Sequence, residues 1–323
     1  MRLSLLDRSR TRRGQPEGAA LRQTIVRAQR AEALGLERFW VAEHHAVPGI
    51  ASGSPAVLLA AIGQVTERIR IGSGGVMLPQ HQPLVVAEQF RMLEGLFPGR
   101  IDLGAGRSLG FVPAVRRALR REGATSEEFA DDLAELRAFL HDDADVTARP
   151  AVGPVPLHVL ATRSGAATAA RLGLPLVVGG PIVLSPALAT LLGDYRRAFR
   201  PHGASEPHVI LSADVFIADT PERAAELALP EAWSMSRTRE VGEFLPLEPV
   251  DEIRAQRWST RARTRIDEHL AGIVLGTRDQ VAERLARLAS SSGADELMAS
   301  TSTFDVDALA ELDASFASLA GEI

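Results

Sequence analysis

The stretch EALGLERFWVAEHH, residues 32–45, packs a helix exit, a strand and three ionisable groups into a few positions. Gly35 closes a run with helical periodicity, and glycine most readily takes the left-handed turn that ends a helix. The apolar run RFWVA follows directly, then Glu43, His44 and His45. The same junction returns at residues 170–177, ARLGLPLV, with Gly173 between helix and strand. A helix that empties through glycine into an apolar strand, repeated along the chain, marks an alternating α/β architecture.

Eight short apolar runs carry that alternation. They are LSLL near Leu5, RFWVA to Ala42, RIRIGSGGVM to Met77, RIDLGAG to Gly106, LHVLA to Ala161, PLVVGG to Gly180, VILSADVFIA to Ala218 and DELMAS to Ser300. Helical periodicity fills the intervals, as at residues 20–33, 126–140 and 279–289. Helix starts are legible as well. Ser54-Pro55, Ser185-Pro186 and Thr220-Pro221 place a hydroxyl before proline, while Thr125 with Glu128 and Thr277 with Gln280 have capping-box spacing. Eight β–α units predict a (β/α)8 TIM barrel, because open doubly wound sheets more often hold five or six strands. The chain is expected to form one barrel domain over residues 1–323. A plain barrel uses about 250 residues, so some of the 323 must lie in long loops. Residues 230–271, rich in Pro, Arg and Glu, are expected to form an insertion above the barrel mouth, before the last strand, with a helical tail at RTRIDEHLAG.

Composition narrows the chemistry. There is no cysteine, which excludes thiolate nucleophiles, disulfides and thiolate metal sites. There is also no lysine, so all 36 cationic side chains are arginine and Schiff-base chemistry is excluded. A net charge of −5 offers no case for nucleic acid or an anionic membrane. No apolar run approaches the roughly 20 residues that span a bilayer, and a cytoplasmic location is expected.

In such a barrel the chemistry gathers at the C-terminal ends of the strands. Those positions hold His44, His45, Gly74, Gly75, Arg107 and residues 162–165. GAGRSLG, residues 104–110, has GxGxxxG spacing, not the GxGxxG of a dinucleotide-binding turn. Arg107 could grip a phosphate in fork geometry or simply face solvent. Thr162, Ser164 and Gly165 open a helix, so they read as an anion site built on first-turn N–H groups, or as an ordinary capped helix. Side chains alternate along a strand, which puts Glu43 and His45 on one side and His44 on the other. Adjacent histidines cannot both point inward, and the other strand ends supply no second ligand cluster, so no metal is expected. One imidazole is left for acid–base work or a structural hydrogen bond.

The chain resembles the luciferase-like flavin-dependent monooxygenases, the family of bacterial luciferase. The matching stretches are AEALGLERFWVAEHH, RIRIGSGGVMLPQHQPLVVAEQF, GRIDLGAGR, ATRSGAATAARLGLP and GTRDQVAERL…GADELMAST, which run from the first strand to about Thr303. The resemblance implies a (β/α)8 barrel holding reduced FMN, or in some branches a deazaflavin, at the strand ends. It implies that His44 is the active-site histidine and that Gly74-Gly75 is a non-prolyl cis peptide beneath the flavin ring. Arg107, Thr162, Ser164 and Gly165 fall where relatives hold the flavin phosphate. A small organic substrate, a separate reductase supplying reduced flavin, and a homodimer formed through the second and third helices are implied too. A deazaflavin-dependent dehydrogenase and a non-catalytic flavin binder remain alternatives. The stretch VVGGPIVL, residues 177–184, together with a single tyrosine, points to an aliphatic substrate pocket.

Overall fold

Along the first strand, Leu5 is buried toward the surrounding helices while Leu6 packs inward with Trp40, Val177, Ile210 and Met298. The same inward apolar layer is supplied by six of the strands, which gives the closed sheet one apolar face inside and one toward the helices. The computed structural model describes residues 1–110, 112–162, 164–202 and 205–323. Its strands are β1 (Arg2–Asp7), β2 (Arg38–Val41), β3 (Arg70–Ser73), β4 (Val76–Met77), β5 (Ile101–Gly106) and β6 (Leu157–Leu160). They continue as β7 (Leu176–Gly179), β8 (Val209–Ala213), β9 (Val215–Ile217), β10 (Val274–Gly276) and β11 (Glu296–Ala299). Parallel pairing runs β3-β2-β1-β11-β8-β7-β6-β5, and β3 pairs with β5 to close eight strands into the predicted (β/α)8 barrel. Among the described residues, no helix is long and apolar enough to cross a membrane.

The helices fall where periodicity placed them, at Gly18–Ala33, Ser126–His141 and Arg278–Ser292. Thr125 and Thr277 form capping boxes with Glu128 and Gln280, and the Thr220 hydroxyl accepts the Arg223 N–H. Ser54 precedes the helix Pro55–Gly63 without a side-chain cap bond, and at Ser185 the next helix starts later, at Ala187. Gly35 and Gly173 exit their helices with φ of +73° and +64°, a conformation that strains other residues.

Three stretches depart from the sequence reading. The third apolar run breaks into β3 and β4 at Gly74-Gly75, whose peptide bond is cis. The seventh splits at Asp214, and its second half, β9, leaves the barrel to pair with β10. Residue 230 does not end a helix: Pro221–Val241 runs straight through it. Proline removes one backbone bond and crowds the preceding turn. Tertiary contacts override that cost, because Ala232 and Trp233 pack against Ile253, Ala262 and Ile266, and Glu231 pairs with Arg8 and Arg10.

Beneath the apolar layer the barrel floor is ionic. Arg38 bridges Asp102 at 2.7 Å and Glu296 at 2.8 Å, Arg70 adds a second cation to Asp102, and the Trp40 indole donates to Asp102 at 3.2 Å. A Cβ at residue 72 would stand 2.7 Å from that indole nitrogen, which is why glycine lies there. His158 meets Trp40 edge-on at 5.1 Å, and burial pushes its imidazole down to about 4. With the folded value below the unfolded one, the protein gains stability that is complete above about pH 6.5 and is lost as pH falls toward 4. The gap corresponds to about 3 kcal/mol. Denaturant melts of wild type and His158→Gln should therefore diverge by that amount across this window; parallel pH profiles would contradict the assignment.

Candidate active site

The C-terminal ends of the strands surround a cavity of about 970 Å³. That is near the top of the roughly 300–1,000 Å³ usual for ligand sites. Leu6, Trp40, Leu160, Val177 and Met298, the upper inward layer of the barrel, form its apolar floor. The rim comes from residues just past the strands, among them Arg8, Arg107, Thr162, Asp214 and Ser300.

One edge of the rim is built for an anion. The exposed Arg107 guanidinium donates to the Ser126 hydroxyl, which in turn lies 3.3 Å from the Ser164 hydroxyl. Ser126 and Ser164 are the first residues of the helices Ser126–His141 and Ser164–Leu172. One cation, two hydroxyls and the first turns of two helices thus converge, and first-turn N–H groups have no partner within their own helix. Arg107, Thr162, Ser164 and Gly165 all line the cavity. The Gly165 N–H, expected to face outward, instead donates to the Thr162 carbonyl at 3.2 Å. Ser126 was missed by sequence reasoning: its capping box was visible, but its approach to Arg107 depends on two neighbouring helices starting side by side.

The other expected residues sit one layer back. Neither Gly74, Gly75 nor His44 belongs to the cavity wall. A Cβ at Gly74 would stand 2.5 Å from Leu6, and one at Gly75 would stand 3.0 Å from Leu160 and 2.7 Å from the Gly104 carbonyl oxygen. The cis dipeptide therefore packs directly behind two floor residues. His44 meets the Phe244 ring edge-on at 5.4 Å, and its Nδ1 is buried without a hydrogen-bond partner. Burial pushes its imidazole down to about 4, with the charges of Arg8 and Arg10 acting in the same direction. It is a neutral ring at pH 7. Its neighbour Arg8 does reach the wall, held by Asp214 at 2.9 Å and Glu231 at 3.2 Å.

The stretch 177–184 lines the cavity with Val177, Pro181, Val183 and Leu184, as expected of an aliphatic pocket, but the lining is not aliphatic throughout. Met235 and Ser236 of Pro221–Val241, and Arg265, Glu268 and His269 of the helix Thr260–Ala271, add polar groups to it. The wall's polarity comes from the stretch after the seventh barrel strand, which a reading of strand ends does not weigh.

The chain as a whole is similar to proteins of known family and structure. The family described as luciferase-like monooxygenase matches residues 1–296. An N-acetyl-S-alkylcysteine monooxygenase of Bacillus subtilis (strain 168) is 35% identical over 300 residues, covering 89% of this chain and 89% of that protein. Among solved structures, apo-MsnO8 aligns with a TM-score of 0.88 at 32% identity, over 100% of this chain and 99% of that one. The oxygenating constituent of 3,6-diketocamphane monooxygenase from Pseudomonas putida, in complex with FMN, shares the fold at a TM-score of 0.75 and 17% identity, over 100% and 98% of the two chains.

Proposed function

This chain belongs to the luciferase-like monooxygenase family, and from that premise we propose that it is an FMN-dependent monooxygenase acting on a small organic substrate. The observation that carries the reading is the linked Arg107, Ser126 and Ser164 at the edge of a large cavity with an apolar floor. The residues fit the cofactor: a dianionic phosphate suits the guanidinium and paired helix starts, and a flat tricycle suits the floor of Leu6, Trp40, Leu160 and Val177.

Reduced FMN, when bound, supplies the two electrons that convert one oxygen atom of O2 to water while the other enters the substrate. The chain's own residues do the rest. Arg107, Ser126, Thr162 and Ser164 would hold the phosphate end. The cis Gly74-Gly75 segment backs Leu6 and Leu160, the floor that would receive the ring. The apolar layer excludes water from the reacting face. Standing one layer behind the wall, the neutral His44 imidazole would act by relaying a proton toward the substrate end and not by lining it.

A separate reductase would supply the reduced flavin, as membership of this family suggests. The helices Pro55–Gly63 and Pro83–Leu96 expose Val57, Val85, Met92 and Leu96, an apolar surface that suits the expected homodimer. The decisive assay couples the protein to a flavin reductase and follows substrate-dependent oxygen uptake, with reduced FMN and a reduced deazaflavin titrated in parallel. Tight binding of reduced FMN with substrate-dependent uptake is the expected result. Preference for the deazaflavin would move the assignment to hydride transfer on the same barrel, and flavin retention without uptake would mark a non-catalytic binder.

A further inference from the structure

Outside the cavity wall, the end of β2 meets the segment after β4 through three side chains. The Glu43 carboxylate is shut from solvent, and its Oε1 accepts from His45 Nε2 at 2.5 Å and from His81 Nε2 at 2.7 Å. Its Oε2 accepts the Met77 N–H at 3.0 Å. The two imidazoles keep 18% and 30% of their side-chain surface, so the cluster is reachable from outside. The three donor atoms all lie within 4.8 Å of one another.

We propose that Glu43, His45 and His81 form a binding site for a divalent transition-metal ion, Zn²⁺ being the best match. Two imidazole nitrogens and one carboxylate oxygen make a donor set that zinc commonly takes, with the remaining position open to water. Ligand bonds of about 2.0–2.2 Å in a tetrahedron place donors about 3.3–3.5 Å apart. The cluster must therefore open by under about 1 Å from its hydrogen-bonded spacing. Each ring would carry its proton on Nδ1 and present a lone pair at Nε2. The Met77 N–H, holding the second carboxylate oxygen, is the outer partner that fixes a ligating carboxylate in place. Sequence spacing hid this site, because His81 lies far along the chain. The 3₁₀ turn Leu78–Gln80 and the Met77 bond bring it back to β2. A bound ion would brace β2 to the segment that follows the cis dipeptide.

The site does not depend on flavin, so its test needs none. Full-length protein freed of metal by chelator dialysis should take up one Co²⁺ per chain and develop visible absorption bands. Excess Zn²⁺ should raise its melting temperature. His81→Ala should weaken Co²⁺ affinity at least tenfold and abolish the Zn²⁺ shift, whereas His141→Ala, a histidine on another helix, should change neither. Because Glu43→Gln also disturbs the bond to Met77, the partly exposed His81 carries the decision. Failure to bind stoichiometric Co²⁺, or equal affinity in His81→Ala, would show the cluster to be a hydrogen-bonded brace only.

Discussion

His44→Ala is expected to lower reductase-coupled substrate oxidation by about 10²-fold or more, while reduced-FMN affinity and melting temperature stay close to wild type. The reason lies in the ring's setting. Its Nδ1 is buried without a partner, as that of His158 is too, so what sets His44 apart is where it stands. The ring rests on Phe244 and neighbours Arg8, which reaches the cavity wall. A purely structural histidine would give the opposite pattern, with a lower melting temperature and full turnover per folded molecule. Measuring oxygen uptake and thermal unfolding on the same preparation separates the two.

Arg107→Ala should weaken reduced FMN about tenfold, the lower end of what a hydrogen bond to a charged group is worth (about 1.5–3 kcal/mol), because the guanidinium is exposed. The loss should shrink as salt is raised, since an exposed charge pair is screened over about 10 Å at 0.1 M. Turnover at saturating flavin should be nearly unchanged, because Arg107 grips the phosphate and not the reacting end. An affinity indifferent to both the substitution and the salt would place the phosphate elsewhere on the rim.

How much of this was written in the sequence differs from element to element. The eight barrel strands were legible because each is an apolar run flanked by helix signals, and Gly35 and Gly173 announce the junctions by the backbone conformation they permit. Short-range chemistry was legible too, as at Thr125 and Thr277. The features that were not legible all depend on distant partners. The β9–β10 pair joins two three-residue strands that only the folded chain brings together. The floor network links Arg38, Asp102 and Glu296 from three strands, and nothing in RIDL says that its aspartate will be buried beneath Trp40. Pro230 looked like a boundary, since proline disfavours a helix interior, but packing around Trp233 decided otherwise. That Arg107, Thr162, Ser164 and Gly165 line the cavity was legible from their positions after strands. Ser126 and the approach of His81 to Glu43 required the fold itself.

The phosphate edge of the cavity carries the proposed function, and FMN differs from riboflavin in that phosphate alone. Equilibrium titration of the full-length protein with both flavins, reduced and at the same low salt, should show FMN binding about 100-fold more tightly, as two or so charge-assisted hydrogen bonds would give. Equal affinity for the two would contradict the proposal that Arg107, Ser126 and Ser164 hold the cofactor.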